Sequence, residues 1–186
     1  IAMPAYAETS ITTATTTPVS TSTVKSGAAD DIKIGSAGSI KPTSGTAVTI
    51  DSNNKVTNDG TIQITNSDGA RGIFANAGVT GTITNSATGK IIIDESYTPT
   101  DIDNDGDLDG PFAVGSNRVG IATGGAFTGN IVNSGEVTVE GNDSAGIRLG
   151  GPLTGNFTTD GKVSVIGDRA LGVGLRAEGV EEALVL

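Results

Sequence analysis

NSGEVTVEGNDSAGIRL at residues 133–149 and TDGKVSVIGDRALGVGL at residues 159–175 are one phrase written twice, 26 residues apart. Gly135 and Gly161 open the two copies, with Val137/Val139 and Val163/Val165 at +2 and +4. A second anchor follows at Gly146 and Gly172, with Ile147/Leu149 and Val173/Leu175 at +1 and +3. Apolar side chains at period two describe short strands with one buried face. Strands separated by Gly, Asn, Asp and Ser turns describe a chain that keeps turning corners.

Working outward, the same anchors recur at Gly60 (Ile62/Ile64), Gly72 (Ile73/Ala75) and Gly89 (Ile91/Ile93). A third anchor is Gly81 or Gly155, with Ile83 or Phe157 at +2, and a partial copy lies at Gly45 to Asn58. In the unit that starts at Gly89 the later anchors, Gly120-Ile121 and Gly129-Asn130-Ile131, arrive late. Gly89 and Gly120 are 31 residues apart, against 11 for Gly135 and Gly146, which places a loop insertion of about 20 residues at 96–117. Three strands per period of about 26 residues predict a right-handed parallel β-helix in which equivalent residues stack at about 4.8 Å. Ile62, Ile91, Val137 and Val163 should then form one interior column. About five such coils fit within residues 30–186, a rod on the order of 25 Å long. A βαβ arrangement lacks support, because no ten-residue window carries helical periodicity; only Arg176 to Leu186 is ambiguous.

Composition agrees with this narrow architecture and narrows the chemistry. The 186 residues hold 11 Lys and Arg against 21 Asp and Glu, a formal charge of −10, with 3% aromatics and no Cys, His or Trp. Absent Cys excludes disulfides and thiolate metal sites, and absent His excludes a Ser-His-Asp triad and imidazole ligation. The acidic balance opposes binding to nucleic-acid phosphates. No run reaches the ~18 apolar residues that would cross a bilayer as a helix.

Residues 1–7 end in Ala5-Tyr6-Ala7 before Glu8, the form of a signal-peptidase site, so they are read as a signal-peptide remnant and the chain as exported. Residues 8–29, dominated by Thr and Ser, have little to bury and are read as a flexible lead-in. Residues 30–186 carry the β-helix repeats.

The phrases N-x-G-x-[IV]-x-[IV] at 58–64 and 133–139, and T-G-[NT]-[IF] at 80–83, 128–131 and 154–157, resemble the passenger domain of a Gram-negative autotransporter. The resemblance spans residues 30 to 186 and specifies architecture more sharply than activity. It implies export through the periplasm to the cell surface. It also implies further β-helix repeats and an outer-membrane β-barrel translocator on sequence beyond Leu186. The passenger's role is then structural or adhesive, facing host cells or glycans.

The sharpest local motif is Asp101-Ile102-Asp103-Asn104-Asp105-Gly106-Asp107-Leu108-Asp109-Gly110. Asp at positions 1, 3 and 5 with Gly at 6 curls a loop around a hard cation, position 7 offers a carbonyl and position 9 a carboxylate. Asp101, Asp103, Asp105, Asp107 and Asp109 are therefore the expected Ca²⁺ ligands, in a structural role. The pattern resembles the loops of EF-hand-like and thrombospondin-type repeats, but Phe112 stands at position 12, so Asp94 or Glu95 would have to supply the bidentate carboxylate. Tyr97, Pro99, Pro111 and Phe112 are expected to clasp the loop's base.

Catalytic candidates are thin. Arg148 and Arg176 fall at different offsets from their anchors, and Glu136 and Glu140 read as solvated strand residues. No catalytic residue is assigned and the chain is expected not to be an enzyme. The alternative is a Ca²⁺-dependent, carbohydrate-active β-helix, lyase-like or glycan-binding.

Overall fold

The computed structural model describes residues 8–175, all of whose regular structure is strand. The readings of residues 1–7 and of Arg176 to Leu186 lie outside the described residues. The described residues run through six coils, each contributing one strand to each of three six-stranded parallel sheets.

Coil one is β1 (Thr9–Ile11), β2 (Ala14–Thr15) and β3 (Val19–Ser20); coil two is β4 (Ile32–Ile34), β5 (Ser39–Ile40) and β6 (Thr46–Ile50). Coil three is β7 (Val56–Asn58), β8 (Thr61–Thr65) and β9 (Arg71–Ala75). Coil four is β10 (Ile83–Asn85), β11 (Lys90–Asp94) and β12 (Val119–Thr123), followed by the corner strand β13 (Phe127–Thr128). Coil five is β14 (Ile131–Asn133), β15 (Glu136–Glu140) and β16 (Ala145–Leu149), with β17 (Leu153–Thr154) at the same corner. Coil six is β18 (Phe157–Thr159), β19 (Lys162–Ile166) and β20 (Leu171–Leu175).

Register confirms the parallel β-helix. Ile40, Ile62, Ile91, Val137 and Val163 stand directly over one another, as do Val48, Ile73, Ile121, Ile147 and Val173. All but Val163 and Val173 of these are fully buried, and they belong to one continuous core. β-Branched side chains suit this site because their stiff rotamers tile a pleated wall. Glycine is required where successive coils nearly touch. A Cβ at Gly135 would collide with the carbonyl oxygens of Ser86 and Gly89, and one at Gly146 with the Val163 side chain.

The expected flexible lead-in at 8–29 is corrected by the structure: these residues build the first coil. Thr9, Ala14 and Val19 pair in parallel with Ile32, Ser39 and Val48. Composition misled because this coil needs few apolar side chains of its own: the half-buried Ile11, Val19 and Val24 pack against the core of the coils that follow. Polar side chains complete the attachment. Thr21 is fully buried, and the Asp51 carboxylate accepts from the Ser22 backbone N–H (2.9 Å), the Ser22 Oγ (2.8 Å) and the Thr21 Oγ1 (3.2 Å). These donors outweigh the desolvation of Asp51 and hold its carboxyl below its ordinary value.

One interior column is polar. Ile11 and Ile34 are followed in register by Asn58, Asn85, Asn133 and Thr159. The three asparagines are fully buried and linked amide to amide. Asn58 Nδ2 donates to Asn85 Oδ1 at 2.8 Å, Asn85 Nδ2 to Asn133 Oδ1 at 2.8 Å, and Asn133 Nδ2 to Thr159 Oγ1 at 3.2 Å. The N-x-G phrase thus has a purpose: its Asn joins the ladder while its Gly permits the tight corner.

Candidate functional site

The insertion leaves the second corner of coil four, between Asp94 of β11 and Val119 of β12. The equivalent link is residues 66–70 in coil three and 141–144 in coil five, so the extra chain projects outward from an undisturbed stack. Its base is closed by charge. Arg118 and Glu95 have side chains only 3% exposed, and Arg118 Nη1 donates to Glu95 Oε2 at 2.7 Å. The same guanidinium donates to the carbonyls of Glu140 (2.6 Å) and Ser67 (3.1 Å), tying the coils on either side. Glu95 also accepts from the backbone N–H groups of Val114 (2.7 Å) and Gly115 (2.8 Å), across the loop's neck. Burial pushes the Glu95 carboxyl up, but these two N–H groups and Arg118 outweigh it and hold the carboxyl below its ordinary value.

This arrangement replaces the apolar clasp expected from sequence. Pro111 and Phe112 are exposed, and Tyr97 and Pro99 are half-buried. Glu95 is committed to Arg118, and Asp94 accepts from Thr65 Oγ1 (2.6 Å) and Gln63 Nε2 (3.2 Å), so both carboxylates are engaged away from the acidic loop. Neither Glu95 nor Arg118 has a local signal of function in the sequence, because the contact exists only once the coils stack.

Within the acidic loop, Asp101, Asp103 and Asp109 each present a carboxylate oxygen within 4.8 Å of the others. That spread is about twice a Ca²⁺–oxygen bond length, the size of a calcium coordination shell. Asp101 Oδ1 is buried and has no hydrogen-bond partner, whereas its Oδ2 accepts from the Gly106 N–H at 3.1 Å. The other backbone bonds fix the curl: the Ile102 N–H donates to Asp109 Oδ2 at 2.7 Å and the Asp105 N–H to Asp103 Oδ1 at 3.3 Å. Asp105 and Asp107 lie outside this trio; Asp105 Oδ1 accepts from the Asp107 N–H at 3.1 Å. The loop also exposes Ile102, Leu108, Phe112 and Val114, which make up four of the five exposed large apolar side chains among the described residues.

The residues weighed for catalysis do not converge. Glu136 pairs with Lys162 (3.1 Å), in a shallow groove that also takes in Thr88 and Lys90. Glu140 Oε2, at the other end of β15, accepts from the Glu95 N–H at 3.2 Å. Arg148 projects from the third sheet, and Arg176 lies outside the described residues. No protein-family model, curated protein or solved structure matches the chain.

Proposed function

We propose that the chain is part of an exported, autotransporter-like passenger: a stiff surface rod with a structural or adhesive role and no catalytic one. The uninterrupted six-coil stack carries this reading, since a solenoid closes its core coil by coil and extends by adding more of the same. The acidic surface and the loop's four exposed apolar side chains fit contact with other molecules at a cell boundary. An antibody raised against the chain should stain intact source cells as strongly as permeabilised ones. Staining confined to permeabilised cells would overturn the reading.

The insertion is proposed to be a calcium-ordered feature of that rod. Asp101, Asp103 and Asp109 would hold Ca²⁺, with Asp101 Oδ1 as the buried oxygen that otherwise goes unsatisfied. The ion would neutralise crowded carboxylates and stiffen the loop. Binding to the folded form alone stabilises it by about 2.7 kcal/mol at a hundred times Kd, or a melting shift of roughly 5–10 °C if the loop unfolds with the whole. Asp101→Asn or Asp109→Asn should abolish the calcium-induced shift while leaving the calcium-free melt unchanged. A parent protein whose melt ignores millimolar calcium refutes the site.

A further inference from the structure

The third sheet presents an outer face unlike the rest of the molecule. Its strands, β3, β6, β9, β12, β16 and β20, contain two arginines and not one Asp or Glu, in a chain of net charge −10. Elsewhere most cations are neutralised: Lys25, Lys33, Lys55, Arg118, Lys162 and Arg169 face carboxylates, and only the scattered Lys41 and Lys90 do not among the described residues. Among the described residues Arg71 and Arg148 have no ion-pair partner and donate no side-chain hydrogen bond.

Their positions are built. Register aligns Arg71 with Val119 and Ala145, and Phe74 with Ala122 and Arg148, so the arginines occupy opposite corners of a three-strand patch. Val119, Ala122 and Ala145 form a small buried cluster, separate from the central core, with Phe74 and Leu171 against it. The Arg71 guanidinium lies 4.6 Å from the centre of the Phe74 ring, and that ring sits over Gly124, where a Cβ would meet it. Stacking on the Phe74 ring meets part of the ordering cost of the Arg71 head, while Arg148 stands exposed beside the same patch. The two arginines are two coils apart, about 10 Å along the axis. Like charges this near repel, and burial together with the Arg71 charge lowers the Arg148 pKa. An anion lying across both heads would relieve that repulsion.

We propose that this face, centred on Arg71 and Arg148, binds a linear acidic polysaccharide through its carboxylates. Planar guanidinium forks pair carboxylates in a bidentate manner, which a lone ammonium does not. An acidic peptide fits less well. The Arg-bearing strands β9 and β16 are paired on both sides, so no sheet edge is open there for strand addition. The inference supplies a ligand class for the proposed surface rod, yet binding in solution tests it independently of where the chain resides.

The test is fluorescence polarisation with labelled oligogalacturonate in buffer containing EGTA, which removes any part played by the acidic loop. The parent chain should bind saturably, and Arg71→Gln with Arg148→Gln should weaken binding at least tenfold with an unchanged melt. Thr49, in register beside Phe74, provides a second variant: Thr49→Glu places a carboxylate among the arginines and should compete to a similar extent. Lys41→Gln with Lys90→Gln should bind as the parent does. Absence of binding, equal binding by the Arg variants, or tighter binding of poly-glutamate than of oligogalacturonate would overturn the proposal. Such a failure would leave the surface-staining result untouched.

Discussion

Asn85→Leu is expected to destabilise the protein by about 3–5 kcal/mol, lowering its melting temperature by roughly 10 °C or more. Asn85 is the middle rung of the buried ladder, taking a hydrogen bond from Asn58 and giving one to Asn133. Removing it leaves a donor and an acceptor without their partners in a dry interior, at about 1–3 kcal/mol each. A cavity does not explain the loss, because an aliphatic side chain fits the column. Ile34 occupies the same register one coil before Asn58 and is fully buried. The decisive comparison is therefore the triple replacement of Asn58, Asn85 and Asn133 by Leu. With every amide in the ladder gone, no ladder amide is left stranded. The groups that lose a partner are the Gly60 N–H, which donates to Asn58 Oδ1 at 3.2 Å, the Lys90 and Glu136 carbonyls, each at 3.3 Å from a ladder amide, and Thr159 Oγ1. The triple variant should melt above the single one. If instead the losses simply add, the ladder is an ordinary set of core contacts and the argument from unsatisfied amides is wrong.

Much of this fold was legible in the sequence because a solenoid converts spacing directly into structure. Gly135 to Gly161 predicts that Val137 lies under Val163, and it does. The late arrival of Gly120 located the insertion to within a residue at either end. What escaped was whatever depends on stacking rather than on spacing. Thr9 to Lys25 lacks the bulk that marks a strand in a self-contained domain, yet in the stack its few apolar side chains pack against the core of the next coil. The N-x-G phrase was visible as a repeat, but its Asn acquires meaning only as neighbouring rungs meet across coils. Arg71 and Arg148 are 77 residues apart and share a patch solely because two complete circuits, one with an insertion, separate them. The acidic loop lies between these cases. Its Asp spacing is a local code, and three of its five carboxylates do converge. The clasp beneath it is not local, and sequence pointed to aromatic and Pro residues where a buried ion pair does the work.

That ion pair carries the other large effect. Arg118→Met should cost about 3–5 kcal/mol near neutral pH, because it strands the Glu95 carboxylate in a site only 3% exposed and removes donors from the Ser67 and Glu140 carbonyls. The expected pH dependence separates this cause from lost packing. In the parent, Glu95 is held below its ordinary value of 4.5, so its contribution is present above about pH 4.5 and disappears as pH falls through the lower folded value. In the variant, desolvation is opposed only by the Val114 and Gly115 N–H groups, so Glu95 takes up a proton at a higher pH than in the parent. The stability gap should accordingly be widest at neutral pH and narrow below about pH 4.5 as the carboxyl becomes neutral in both proteins. Adding Glu95→Gln to Arg118→Met should recover part of the loss at pH 7, since a neutral amide costs less to bury than an unpaired charge. Urea midpoints across pH 3–8 for the parent, both single variants and the double variant measure all of this at once. A gap that stays constant with pH, with no recovery in the double variant, would mean that Arg118 acts through its bulk and its carbonyl contacts alone. Limited proteolysis adds a spatial readout: releasing the clasp should open residues 96–117 to cleavage before the coils themselves unfold.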